Sequence, residues 1–126
     1  MPLTSSMEDY IEAILVIFQK QGCVRCVDIA GHLNVTMPSV SRAIKELIHK
    51  MYLVRTEDGT LVLTNLGKQA ASAIYERHCF FKERLLAAGV DPELAEKEAC
   101  RMEHGISEES FQKLKDRAGT TNGKEM

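Results

Sequence analysis

Two short clusters of side chains in this sequence have the chemistry of a metal site. Asp9 and Glu12 stand three residues apart, so on a helix both carboxylates share one face. Cys100, Glu103 and His104 stand at i, i+3 and i+4 and converge in the same way. A third donor, His78, falls in the middle of an otherwise apolar stripe of Ala71, Ile74, Phe81 and Leu85. Carboxylate, imidazole and thiolate together suit a first-row divalent ion such as Mn²⁺, Fe²⁺, Co²⁺ or Zn²⁺. Each piece also has an ordinary explanation. A lone histidine on an apolar stripe is a common core residue, and acids at a helix start complement the helix dipole.

The elements that would carry these donors are helices. Met7, Tyr10, Ile11, Ile14, Leu15 and Phe18 repeat with helical spacing, predicting an amphipathic helix from about residue 5 to 20, closed by Gly22. VDIAGHL (27–33) predicts a short second helix stopped by Asn34. Thr36 caps a third, with Pro38 in its first turn, where no backbone N–H is needed. Its apolar face is Val40, Ala43, Ile44, Leu47, Ile48 and Met51; its other face is Pro38, Arg42, Lys45, Glu46 and His49. YLVR (52–55) and TLVL (60–63) follow as two strands. Asp58-Gly59 lies between them as a hairpin signal, both residues tolerating positive φ. A long helix then runs from Thr64 or Asn65 to about residue 88. Another, capped by Asp91-Pro92, reaches about His104, and Ser107 opens a last one carrying Phe111 and Leu114.

Helix, helix, turn, helix and a two-stranded wing make a winged helix-turn-helix, whose second helix enters the major groove by its N-terminal residues. Pro38, Ser39, Ser41 and Arg42 stand there, Arg42 suited to a bidentate pair with guanine. The net charge of the 126 residues is −2, yet Gly22 to Thr56 holds five basic residues, Arg25, Arg42, Lys45, Lys50 and Arg55, against two acids. This permits a basic face on an acidic chain. We expect DNA contacts from Arg25, Thr36, Pro38, Ser39, Ser41, Arg42, Lys45 and Arg55. No apolar run is long enough to span a membrane, and the N-terminus lacks signal-peptide character, so the expected location is the cytoplasm with thiols reduced. No oxyanion-hole motif or Gly-rich phosphate loop accompanies the Cys and His, which argues against an enzyme or a small organic substrate.

Taken together, SMEDYIEAI (6–14), DIAGHLNVTMPSVSRAIKEL (28–47), LVLTNLGK (61–68), YERH (75–78) and EACRMEH (98–104) resemble the diphtheria toxin repressor family, closest to its short manganese-regulator branch. The resemblance runs from Ser6 to about Lys115. It implies a metal-activated repressor that binds operator DNA as a homodimer, with ligands at Asp9, Glu12, His78, Cys100, Glu103 and His104. It also implies a site between the first, fourth and fifth helices that draws the first helix onto the others when filled. The departures matter. Manganese-type members generally carry a carboxylate at the place of Cys100, whereas iron-type members carry Cys there and Met at the place of Asp9. Mn²⁺ or Fe²⁺ is the expected ion, with Co²⁺ and Zn²⁺ the alternatives. Lys82 occupies the place of a frequent second-site Glu, for which Glu83 or Glu96 could substitute. Neither a third, SH3-like domain nor an extra C-terminal helix is expected.

The fold class expected is therefore mainly α with a small β-hairpin: a winged-helix domain over 1–70, a helical metal-binding and dimerisation domain over 71–118, and a flexible tail over 119–126. Cys23-x-x-Cys26 is half of a zinc ribbon without its second pair, and both cysteines read as small buried hydrophobes; Cys79 reads as a non-ligand. The rival function is a metal-insensitive winged-helix DNA-binding or adaptor protein.

Overall fold

The computed structural model describes residues 3–125, and side chains to residue 118. Six helices and one hairpin follow one another: α1 (Ser5–Gln21), α2 (Cys26–Leu33), α3 (Met37–His49), β1 (Leu53–Arg55), β2 (Leu61–Leu63), α4 (Asn65–Ala87), α5 (Pro92–Met102) and α6 (Glu108–Glu125). They group into two compact units, residues 1–74 and 75–126, with the division falling within α4.

In the first unit, capping chemistry sets the helix ends. The Thr4 hydroxyl accepts from the Met7 N–H, and Gly22 closes α1 with φ 82°. Asp28 accepts from the Arg25 N–H at 2.9 Å to start α2, and Asn34 ends it at φ 57°. The Thr36 hydroxyl accepts from the Ser39 N–H at 3.3 Å, with Pro38 in the first turn of α3. Their apolar stripes meet in one core of Met7, Tyr10, Ile11, Ile14, Ile17, Val24, Ile29, Val40, Ile44 and Leu47, joined by Leu53, Leu61 and Leu63. Phe18, at the end of the α1 stripe, stays 54% exposed.

β1 and β2 are antiparallel, with Leu53 opposite Leu63 and Arg55 opposite Leu61. The Leu61 N–H donates to the Val24 carbonyl at 2.8 Å, binding the wing to the segment before α2. The turn differs from the expected one. Only Gly59 takes positive φ (87°), the Gly59 N–H donates to Thr56 and the Thr56 N–H to Thr60. This is a three-residue connection closed by a left-handed glycine rather than a mirror-image two-residue turn. Asp58 instead organises the turn through its side chain. Its carboxylate accepts from the Thr56 hydroxyl, the Thr60 hydroxyl at 2.9 Å and the Thr60 N–H at 3.2 Å.

The second unit has its own core of Phe81, Ala99 and Phe111, packed with Phe80, Leu85 and Ile106. Phe80 meets Phe81 and Phe111 edge-on, each at 5.4 Å between centroids. Asp91 caps α5 through the Glu93 N–H, and Ser107 caps α6 through the Ser110 N–H, each at 3.1 Å. α6 continues as helix past Gly119; the expected tail over 119–126 falls on residues whose side chains lie outside those described. The cysteines are free, and Cys23 is exposed, against the expectation of burial, because the extended segment it begins turns Val24 inward instead. Among the described residues no helix is long and apolar enough to cross a membrane.

Candidate metal centre and nucleic-acid interface

On α4, Ala71, Ile74, His78 and Phe81 are all buried, so the stripe read from the sequence is a core stripe with an imidazole in it. α5 ends at Met102, earlier than expected. Glu103 keeps right-handed helical angles (φ −63°, ψ −25°), and the next N–H groups shift to shorter bonds, His104 to Arg101 and Gly105 to Met102. The i, i+3 relation of Cys100 and Glu103 therefore survives the end of the helix.

Within the second unit, ligand atoms of His78, Cys100 and Glu103 lie within 4.8 Å of one another. His78 Nδ1 stands 2.8 Å from Glu103 Oε1, and His104 Nε2 stands 3.5 Å from Glu103 Oε2. The Glu103 side chain is fully buried, and among the described residues its Oε2 is the buried side-chain polar atom without a hydrogen-bond partner. A buried carboxylate oxygen left this way costs about 1–3 kcal/mol. Nitrogen, sulfur and oxygen donors converging on such an oxygen fit a divalent transition metal. Asp9 and Glu12 share one face of α1 in the first unit, each with interactions of its own.

Sequence reasoning missed one contributor, Arg77, and named another, Glu96, only as a substitute second-site ligand. Arg77 directs one nitrogen to the carbonyls of Glu103 (3.1 Å) and Ile106 (2.8 Å) and the other to Glu108 (2.6 Å), and lies 5.4 Å over the Phe111 ring. It braces the turn that carries Glu103 and His104. That guanidinium, with Gln112, holds the Glu108 carboxyl below its usual range. A lone basic residue beside a histidine carried no signal of this. Glu96 is engaged at both oxygens, with His78 Nε2 at 2.9 Å and Lys82 Nζ at 2.8 Å. Burial pushes its pKa up, but these two partners outweigh that and hold it down, while Glu96 raises that of Lys82. Cys79 is half-buried and falls outside the cluster of candidate ligands.

The outer face of α3 presents Pro38, Ser41, Arg42, Lys45, Glu46 and His49 to solvent; Ser39 is half-buried, its hydroxyl accepting from Thr36 at 2.9 Å. Arg25 donates to the Asp58 carbonyl at 2.7 Å, bracing the wing, and exposed Arg55 lies 3.9 Å from the Cys26 sulfur. The pKa of Asp58 itself is pushed down to about 2 by the Thr56 hydroxyl and by the Thr60 N–H and hydroxyl.

A recognition helix, a wing and a buried N, S, O donor cluster define a winged-helix regulator with a metal-binding helical domain. Residues 2–61 match the iron dependent repressor N-terminal DNA binding domain, and residues 64–122 match the iron dependent repressor metal binding and dimerisation domain. The chain is 34% identical over 113 residues to the HTH-type transcriptional regulator MntR of Listeria monocytogenes and to that of Bacillus subtilis, covering 90% of this chain and 80% of each. The solved IdeR of T. acidophilum is 31% identical with a TM-score of 0.75 over 94% of this chain, which spans 55% of that one. The chain belongs to the diphtheria toxin repressor (iron-dependent repressor) family of metal-dependent transcriptional regulators, in its manganese-regulator branch.

Proposed function

We propose that the protein is a cytoplasmic repressor of metal-homeostasis genes that binds operator DNA as a homodimer when a divalent ion, Mn²⁺ or Fe²⁺, is bound by His78, Cys100, Glu103 and His104 together with Asp9 and Glu12. The observation that carries this is the buried Glu103 carboxylate, unsatisfied at Oε2 beside His78 and Cys100. The inclusion of Asp9 and Glu12 rests on their i, i+3 spacing and the family pattern. Thiolate softness pulls selectivity toward Fe²⁺, Co²⁺ or Zn²⁺, while three carboxylates pull it toward Mn²⁺.

When bound, the ion supplies a positive charge that relieves repulsion among the carboxylates. The chain's own residues do the rest. Glu103 and His78 hold the donor cluster on α4 and α5. Asp9 and Glu12 bring the DNA-binding unit under its control and so set the spacing of the two recognition helices in the dimer, which must be roughly 34 Å to enter successive major grooves. Arg42 reads base edges. Ser39, Ser41, Lys45 and Arg55 contact phosphates, and Thr36, Pro38 and Arg25 present the backbone and wing. Coupling of this kind is reciprocal, so operator DNA raises metal affinity by the factor by which metal raises DNA affinity.

Operator binding measured across Mn²⁺, Fe²⁺, Co²⁺ and Zn²⁺ at one fixed salt concentration tests this reading. Loss of binding on chelation is expected. Equal binding with and without metal would refute it and favour the metal-insensitive adaptor.

A further inference from the structure

His78 is gripped at both ring nitrogens. Nδ1 faces Glu103, the buried carboxylate of the donor cluster, at 2.8 Å; Nε2 faces Glu96 at 2.9 Å, and the other Glu96 oxygen meets Lys82 at 2.8 Å. Helical spacing makes this a ladder. Lys82 lies one turn after His78 on α4, and Glu96 one turn before Cys100 on α5. Resting on the proposed metal site, we propose that Glu96 and Lys82 are its positioning pair: they hold the His78 Nε2–H so that Nδ1 is the nitrogen presented to the ion, and they fill the Nε2 side with the chain's own cation instead of a second metal.

The physical case is one of magnitudes. Glu96 is 52% exposed and Lys82 38%. An ion pair so wet contributes little to folding. Orientation is another matter. A ligating imidazole can face an ion through only one nitrogen, and a carboxylate on the other fixes ring rotation and tautomer together. Removing such a partner typically lowers metal affinity about 10- to 100-fold. Glu96 has both oxygens committed, one to each partner, whereas Glu103 has one to spare. The two carboxylates flanking the same ring are thereby divided, one to receive the ion and one to orient the receiver.

The test uses the full chain, titrated with Mn²⁺ alone by calorimetry and loaded with Zn²⁺ for nitrogen NMR of the His78 ring. Glu96→Ala is expected to weaken Mn²⁺ binding about 10- to 100-fold, with the number of ions per chain and the metal-free melting temperature little changed. Glu96→Gln, whose carbonyl oxygen still accepts from Nε2–H, is expected to recover most of that loss, and Lys82→Met to fall between. The Zn²⁺-loaded wild type and Glu96→Gln should show His78 with its proton on Nε2. Three outcomes overturn the proposal: unchanged affinity in Glu96→Ala, loss of one bound ion per chain in that variant (which makes Glu96 a ligand), or no recovery by Glu96→Gln. A wild type that takes up neither ion overturns the metal reading itself and this proposal with it.

Discussion

Glu103 is a charged group buried at a cost to stability. Its side chain is fully buried, yet Oε2 finds no hydrogen bond. Binding groups are commonly kept at such a cost to stability. Glu103→Ala is therefore expected to melt no more than a few degrees below wild type without metal, and to show none of the rise in melting temperature that Mn²⁺ is expected to give the wild type. Differential scanning fluorimetry with and without Mn²⁺ checks both. Glu108 permits a pH prediction. Its carboxyl is held below the ordinary glutamate range, chiefly by Arg77. A depressed folded-state pKa gives stability that is present above the unfolded value and lost as pH falls through the folded one. The stability gap between wild type and Glu108→Gln should therefore be full above the ordinary glutamate range and close as pH falls below that range, which melts across an acid series would follow. At this scale spacing singled out the candidate donors that the structure brings together, Cys100 with Glu103 just past the end of α5, and His78 in an apolar stripe, while the resemblance made them a ligand set. Arg77 was not legible, and Glu96 was read only as a possible second-site ligand, because their roles depend on how α4 docks on α5 and on the following turn, and no local pattern records that.

Among the elements, the wing and α4 are locked together at Gly67. A Cβ on this helical residue would overlap the Tyr52 carbonyl oxygen and press on the Leu63 side chain. Gly67→Ala should thus cost about 1–3 kcal/mol despite alanine's better helix propensity, seen as a lower urea midpoint. Thr36→Ala removes the α3 cap and should cost about 0.5–2 kcal/mol, with weaker operator binding in the metal-loaded protein. Apolar periodicity and capping residues made the helices readable to within a residue or two at most ends. Two places resisted. The α5 pattern continues through His104 because Glu103 keeps helical angles after the helix proper has stopped. The hairpin differs at Asp58, where side-chain bonding to Thr56 and Thr60 holds the turn without a positive φ.

For the whole molecule, the charge distribution matters more than the total of −2. The basic residues of α3 and the wing are exposed, and phosphate contacts through them would make affinity fall steeply with salt. Arg42→Ala should weaken operator binding by about 1–3 kcal/mol with loss of base preference at one position, whereas Lys45→Ala should weaken all sequences alike and reduce the salt slope by about one. Fluorescence anisotropy over a salt series separates the two. The winged helix and the helical region after it were legible in the order of elements. The place where compactness divides them, between Ile74 and Tyr75 inside α4, was not, since nothing in the helix sequence interrupts there.

The turn after Met102 also has a kinetic meaning. Glu103 and His104 are carried by a helix end tightened with short-range bonds and pinned by Arg77, not by the helix interior. Helix ends open far more often than the protein unfolds. The residence time of a bound ion would then follow the opening of this single turn, and Arg77 would act as the latch on it. Amide exchange at Glu103 to Gly105 should accelerate in Arg77→Lys alongside the rate at which a chelator strips the metal, while exchange in the core of α3 stays unchanged. A sensor built this way can answer a fall in metal within the life of a folded molecule.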